Sequence, residues 1–461
     1  MREEEPTGTQ AANSAGERLA SDNPTTQVPR RVTRRGLLAA AAASAGGAVL
    51  ARVSAEAQAP TSRAAQGAAS PAQATGAPPA AGAFDIASVP ADPTRAPGPP
   101  TSALGARSPF ETPARTPIGV TSGASLTPLH QLSGTLTPSD LVFERHHAGV
   151  ALLDPARYEL LIHGLVERPT VFSLDDLHRL PSVTRTCFLE CSGNGRSAYK
   201  TPKREMTPQI VDGMTSSGEW TGVPLALLLH EVGVRRGASW LRVEGGDASR
   251  LARSVPLEKA LDDAMIAYAF NGEALRPANG YPARLLLPGY EGNANIKWIR
   301  RIELADGPGM FRDETSKYTD PLANGTARQF SLVMDVKSII TAPAYPGRVT
   351  PNVWTQITGL AWSGRGRIAR VDVSADGGAS WLVAELQDPV MPLAHTRFRL
   401  SWQWDGKPTV LMSRAVDETG AIQPTFAEFR SKRGAGTDYH YSYIRSWAVE
   451  PDGQVFFRVD A

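Results

Sequence analysis

Apolar and polar positions begin to repeat regularly near Leu129, and from there the chain falls into two stretches of different texture. In the first, residues 158–166 make a strand-like run that ends in a turn, and residues 240–247 make another with a polar end. Ser173 stands as an N-cap ahead of Asp175 and Asp176, opening a short helix that Pro181 stops. Leucine-rich spacing predicts a helix over 225–231, and Val255-Pro256-Leu257 opens a second over 258–264. A strand with a tight turn over 266–273 and apolar runs over 284–287 and 296–304 complete a mixed α+β domain. From Arg328 onward convincing helix patterns disappear. Residues 355–362 and 368–374 alternate with period two, and Asp376-Gly377-Gly378 supplies a hairpin turn before Trp381. Further strands near 397–404, 409–416 and 442–449 make this stretch an immunoglobulin-like sandwich.

Ahead of the patterned region the texture is different again. Residues 58–127 are rich in Ala, Pro, Gly, Thr and Ser with few aromatics, too little apolar area to offset the entropy of ordering. Most of this stretch reads as a tether or an extended arm. Before it, Thr33-Arg34-Arg35-x-Leu37-Leu38 leads into an Ala-rich apolar run over 37–50 and a small-residue cleavage pattern at Ala55-Glu56-Ala57. That order of parts is similar to a twin-arginine export signal over 1–57, which implies a periplasmic destination and a cofactor inserted before export.

Composition narrows the classes. A chain of 461 residues, 41% apolar and 20% charged, is an ordinary globular protein with room for two or three domains. A net charge of +2 makes no case for nucleic acid. No apolar run is long enough for a membrane span once the signal is removed. No Cys-x-x-Cys-His occurs, so no haem in this chain is expected to be covalently held.

The two cysteines, Cys187 and Cys191, lie where a strand-like run breaks into the small-residue turn Cys191-Ser192-Gly193-Asn194-Gly195-Arg196. Such a turn brings backbone close to a bound group and presents a thiolate and a guanidinium together. An inert thiol pair or a strained local disulfide remains open on these residues alone, with Cys187 read as a small buried apolar side chain. The eight histidines show no His-x-x-x-His spacing. His146 and His147, being adjacent, are expected to face opposite ways on a strand and not to share one ion. No Gly-x-Ser-x-Gly elbow, phosphate-binding loop or dinucleotide fingerprint is present. What remains is a set of polar residues at strand ends, Arg145, His147, Cys191, Arg196, Asp247, Arg284 and Lys297, the arrangement of a ligand crevice.

From Leu129 to its end the sequence resembles the sulfite oxidase family of molybdopterin enzymes. The motifs that carry the likeness are Phe143-x-Arg145-x-His147, Cys191-x-Gly193-Asn194-x-Arg196, Glu244-Gly245-x-Asp247, Gly280-Tyr281-Pro282-x-Arg284 and Gly292-x-x-x-x-Lys297-Trp298. The resemblance implies an α+β molybdopterin-binding catalytic domain over 128–327 and an all-β dimerisation domain over 328–461. It implies one molybdenum-molybdopterin per chain, with Cys191 as the protein's thiolate on the metal. Phe143, Glu144, Arg145, His146, His147, Asp247, Asn279, Arg284, Asn295, Ile296 and Lys297 then fall where the family holds the pterin and its phosphate. Arg145 and Arg196 are placed on an anionic substrate pocket, and Tyr318 beside the metal.

Within the family the likeness is strongest to the molybdenum subunits of sulfane dehydrogenases of bacterial thiosulfate oxidation. It rests on Ser316-Lys317-Tyr318-Thr319-Asp320, Arg328-Gln329-Phe330, Met334-Asp335-Val336-Lys337-Ser338 and Gly359-Leu360-Ala361-Trp362-Ser363-Gly364. This implies oxidation of sulfane sulfur on a carrier protein, a dihaem c-type cytochrome subunit as electron acceptor, and a homodimer through the second domain. Departures from the family pattern are His146, Gly195 in place of an arginine, Asn279 in place of a histidine, and Ile210 where a pocket tryptophan is common. They leave room for a bulkier, less anionic sulfur substrate than sulfite. The alternatives are a sulfite dehydrogenase on the same scaffold and a non-enzymatic exported binding module, the latter requiring a Cys187–Cys191 disulfide.

Overall fold

A computed structural model of the chain describes residues 100–322 and 324–459, together with positions 92, 94, 97 and 98. The description below concerns the compact unit Ala80–Ala461. The export-signal pattern, its cleavage site and most of the proposed arm lie outside the described residues.

Two sheets frame the first half. One runs Val183–Glu190, Thr215–Pro224 and Met265–Phe270 as antiparallel neighbours, with Glu273–Ala274 and Arg284–Leu286 both on Met265–Phe270. The other has the order Thr170–Ser173, Glu159–Gly164, Ile299–Ala305, Trp240–Gly245, Ala252–Pro256, antiparallel except where Glu159–Gly164 meets Ile299–Ala305. Helix Leu225–Val232 buries Leu225, Leu228, Leu229 and Val232, one stripe at helical spacing. That stripe packs with Leu160, Ile162, Leu241, Val243 and Ile302 in a single apolar cluster. Each such buried leucine is worth roughly 1.5–3 kcal/mol over leaving it exposed. Helix Leu174–Arg179 starts at Ser173 through a capping box: Ser173 Oγ accepts from the Asp176 amide at 3.1 Å, and Asp176 Oδ2 accepts from the Ser173 amide at 3.0 Å.

The second half is the expected sandwich. A sheet of Lys337–Ala342, Trp354–Trp362, Thr396–Gln403 and Glu385–Leu386 faces one of Leu382–Val383, Ile368–Ser374, Thr409–Asp417, Ser446–Val449 and Val455–Phe457. Inward side chains such as Ile357, Leu360, Val371, Val373, Phe398, Leu411 and Trp447 fill the space between them. Gly377 and Gly378 have φ of 74° and 96°, the left-handed backbone that the turn after Ile368–Ser374 requires. The apolar cluster does not stop at the junction between the halves: Leu129, Phe188, Ala198, Met206 and Val211 belong to it too.

Two expectations change, and one rival reading loses its requirement. The arm is folded at its C-terminal end, where Thr116–Gly119, Gly123–Leu126 and Glu144–His146 make a small antiparallel sheet. Hydrogen bonds rather than apolar area hold it: Gln209 Nε2 donates to Ala114 O and Leu126 O, and Thr127 Oγ1 donates to Leu141 O. The second half contains a helix, Phe426–Arg433, opened by a capping box of Thr425 and Glu428. Only Phe429 and Arg433 are buried on it, so it carries no apolar periodicity to read. Cys187 and Cys191 are both free thiols, against the disulfide that the binding-module reading needs. Among the described residues no helix is long and apolar enough to cross a membrane.

Candidate active site

The strand Val183–Glu190 ends by delivering Cys191 into a tight turn. The Cys191 amide donates to Met214 O at 3.0 Å, and the Asn194 amide returns to Cys191 O at 2.8 Å. Glu190, immediately before the cysteine, is buried and accepts from Asn194 Nδ2 at 2.9 Å, Lys337 Nζ at 3.2 Å and Trp362 Nε1 at 2.6 Å. Lys337 also pairs with Asp212 at 2.5 Å, and Asp212 with Arg445 at 2.9 Å. Burial alone would raise the Asp212 carboxyl, but Arg445 and Lys337 hold it below its ordinary range. Two carboxylates and two cations therefore sit balanced beneath the cysteine turn, two of the four supplied by the second half. Gly195 is left-handed (φ 93°), and a Cβ there would collide with Arg445 Nη2. The absence of an arginine at this position thus has a physical counterpart: Arg445 occupies the space.

Cys191 opens onto a cleft at the ends of the strands described above. Phe143, Arg145, His146, His147, Asp247, Asn279, Arg284, Asn295, Ile296, Lys297 and Tyr318 all line it with Cys191. Their placement follows from strand ends and the turns that leave them. Arg284 begins the strand Arg284–Leu286 and donates to Asn279 O and Asn295 O, both at 2.8 Å, while its guanidinium lies 5.1 Å from the Trp220 ring centroid. Burial lowers its pKa to about 10, so it stays charged at neutral pH. Lys297 donates to Arg145 O, Ala278 O and His146 Nδ1 at 2.9–3.0 Å, and burial pulls it well below its ordinary range. Among the described residues neither Arg284 nor Lys297 has a carboxylate in ion-pair contact.

The two histidines both reach the cleft, because the strand Glu144–His146 ends before His147 and the alternation that would separate them ends with it. His146 is fixed between Glu144, at 3.0 Å from Nε2, and Lys297. His147 Nε2 lies 2.7 Å from Tyr318 Oη; burial, helped by Arg145, pushes the imidazole pKa down to about 4. Tyr318 is raised by burial and remains a phenol. Burial also raises the Cys191 thiol, with the Gly193 amide and then Arg145 and Arg196 pulling the other way. Cys187, in contrast, lies inside an apolar cluster and is pushed up to about 12, an inert thiol.

Two predicted residues do not line this cleft. Glu144 faces away, paired with Arg115 and His146. Arg196 lines an adjoining cleft with Ile210, Ser122 and Gly123, which Arg145 borders as well. Its guanidinium donates to Asp438 O at 2.7 Å and stacks 5.2 Å from the Tyr439 ring centroid. Asn295 contributes through its backbone, since its side chain is spent on the Leu287 amide and the Tyr290 and Glu291 carbonyls. Sequence reasoning also missed Asn293, which lines the cleft, and Tyr439, whose ring lies 5.2 Å from that of Tyr318. Asn293 sits inside a motif already singled out; Tyr439 comes from the second half and carries no local signal.

Comparison with known proteins now bears on this arrangement. A family model described as "Oxidoreductase molybdopterin binding domain" matches residues 147–310, and one described as "Mo-co oxidoreductase dimerisation domain" matches 328–446. The crystal structure of the sulfane dehydrogenase SoxCD from Paracoccus pantotrophus is similar at a TM-score of 0.77 and 43% identity, covering 82% of this chain and 98% of that one. The chain belongs to the sulfite oxidase family. Mitochondrial sulfite oxidase of Mus musculus is 31% identical over 332 residues, 65% of this chain and 60% of that protein. NADH nitrate reductase of Ulva prolifera is 30% identical over 362 residues, 70% of this chain and 42% of that protein. The chain thus spans less than two thirds of the length of these curated relatives.

Membership in this family of oxidoreductases implies a molybdenum-molybdopterin cofactor, and the cleft fits one. It offers a thiol for the metal and two cations without carboxylate partners for an anionic group, the donor set such a molecule requires. Among the described residues no cluster of three or more His, Cys, Asp or Glu side chains could hold a metal ion by itself.

Proposed function

We propose that this chain is a periplasmic molybdenum-dependent oxidoreductase that oxidises sulfane sulfur carried on a partner protein and passes electrons to a c-type cytochrome. One observation carries the reading: Cys191, Arg284 and Lys297 share a single cleft, and neither cation meets a carboxylate there. A buried cation left so costs several kcal/mol unless a bound anion offsets it. Arg284 and Lys297 would hold the phosphate, Asn279, Asp247 and the 295–297 backbone would surround the pterin, and Cys191 would take the metal; all of them line the cleft. When bound, the group supplies a two-electron redox centre competent for oxygen exchange with a sulfur lone pair. Each two-electron oxidation adds the oxygen of one water to sulfur and releases two protons and two electrons.

The chain's own residues supply charge and proton control. Arg145 borders both the cofactor cleft and the adjoining cleft of Arg196, placing positive charge where S–O⁻ groups develop. His147 is neutral above about pH 4 and Tyr318 is neutral throughout, so their 2.7 Å contact holds one shared proton without a net charge. The likeness to the sulfane dehydrogenase structure supports the sulfane substrate, a separate cytochrome and pairing through the second half. The twin-arginine pattern supports export. Ile210 in the Arg196 cleft leaves more room than an aromatic ring would.

The second reading, a sulfite dehydrogenase, rests on the same two arginines and the sulfite oxidase relatives. Steady-state rates with free sulfite against carrier-bound sulfane separate the two. The proposal as a whole is tested by molybdenum analysis of the exported chain, purified from a host that makes molybdopterin. Stoichiometric metal is expected, and correctly folded protein without it would sink the reading. Cys191→Ser is expected to abolish turnover with unchanged circular dichroism; normal turnover in that variant would refute the site.

A further inference from the structure

Gly292 passes directly over Cys191: its amide donates to Glu190 O at 2.6 Å, and a Cβ there would lie 3.3 Å from Cys191 Cα. The next residue, Asn293, therefore lines the cleft beside the thiol. It is 7% exposed, and both hydrogens of its amide are spent on the protein. Nδ2 donates to Glu291 Oε2 at 2.8 Å and to Ser192 Oγ at 3.0 Å. Glu291 fixes which way the amide points, because a carboxylate accepts and cannot donate. Arg253 Nη2 lies 3.2 Å from Glu291, His440 Nε2 lies 3.4 Å from it, and all three side chains are buried. Burial would raise the Glu291 carboxyl, yet Arg253, His440 and Asn293 together bring it down to about 2. The opposite amide orientation would set a carbonyl against that carboxylate. In the favoured orientation Asn293 Oδ1 has no hydrogen-bond partner among the described residues.

We propose that Asn293 Oδ1 is a preoriented acceptor for a donor hydrogen on the group bound beside Cys191, carried by the cofactor or by the substrate. A buried carbonyl oxygen without a partner costs about 1–3 kcal/mol. Here the buried Arg253–Glu291–His440 cluster, joined to the cysteine turn by the His440 amide donating to Ser192 O at 2.8 Å, keeps the oxygen in place. The inference rests on the molybdenum reading of the cleft, and the test separates the two.

The test compares the full chain, loaded in a molybdopterin-making host, with Asn293→Leu and Asn293→Asp. Leucine has similar bulk and no acceptor. Aspartic acid facing Glu291 is protonated, donates to it as the amide did, and keeps a carbonyl oxygen. Three quantities are read on the folded fraction: molybdenum retained through prolonged dialysis, the electron spin resonance signal of the half-reduced centre, and KM against kcat with sulfite and with glutathione persulfide. A donor on the cofactor gives about tenfold faster metal loss or a changed signal in the leucine variant, with the aspartate variant near wild type. A donor on the substrate gives unchanged metal and signal with about tenfold higher KM in the leucine variant only. Wild-type values for all three in Asn293→Leu overturn the inference, as does equal impairment in the leucine and aspartate variants. Where leucine prevents folding, Asn293→Ala takes its place in the comparison. Wild-type chain that holds no molybdenum overturns the underlying reading instead.

Discussion

Arg284 donates to two backbone carbonyls and stacks on Trp220, yet meets no carboxylate among the described residues. Its bonds within the chain run from an ionised donor to neutral carbonyls, worth about 1.5–3 kcal/mol each, and the cost of burying the unpaired guanidinium, several kcal/mol, roughly offsets them. Arg284→Met should therefore change the unfolding free energy of metal-free protein by no more than about 1–2 kcal/mol. Metal retention should fall at least about tenfold. Urea unfolding of the metal-free chain and molybdenum analysis after dialysis measure the two; a large stability loss with normal retention would make Arg284 a structural residue. At this scale the sequence was informative where function sits in short runs. Cys191, Arg284 and Lys297 lie in contiguous motifs at strand ends, and those motifs converge on one cleft. Arg196 falls in the adjoining cleft with Arg145, and the sequence did not show its partners, Asp438 and Tyr439 of the second half; Asp438 lies 242 residues away. Asn293 was passed over for a different reason: a buried asparagine becomes notable only when its unmet acceptor is visible.

The strand Val183–Glu190 and the turn after it are held from below by Glu190, Lys337, Asp212 and Arg445. Removing one partner from such a buried set leaves an excess charge. Lys337→Met is expected to destabilise the chain by about 3–5 kcal/mol, seen as a lower urea midpoint with little change in slope. A loss under about 1 kcal/mol would show that the network is not closed in solution. Periodicity found most strands because alternating burial is a local property. It missed helix Phe426–Arg433, whose surface-lying length has one buried aromatic, although Thr425-x-x-Glu428 marked its start. Low apolar content likewise hid the sheet at 116–126, which is secured by hydrogen bonds that composition does not register.

Across the whole molecule one apolar cluster joins the halves, and His395 lies within the junction. Its imidazole stands between Phe188 and Trp362, with Nε2 2.9 Å from Thr215 Oγ1. Burial, with Arg397, lowers its pKa to about 3, against an ordinary value of 6.5. The unfolded chain therefore binds a proton at this site at a pH where the folded chain does not. Its contribution is complete above about pH 6.5 and is lost as pH falls toward 3, at about 1.4 kcal/mol per unit. His395→Phe should flatten the decline of unfolding free energy between pH 6 and 4 by roughly that slope. Parallel curves for the two proteins would mean that the imidazole titrates normally in the folded state.

The collision that a side chain at Gly195 would make with Arg445 reaches beyond this one chain. Any side chain at position 195 would have to displace Arg445 from its place on Asp212, and Glu190 depends on Lys337 for its buried charge partner. The two halves are thus matched parts rather than interchangeable modules. A chimera joining this catalytic half to a relative's second half would inherit a mismatched wall behind Cys191 unless those pairs moved together. A working exchange of halves would have to carry those pairs across together.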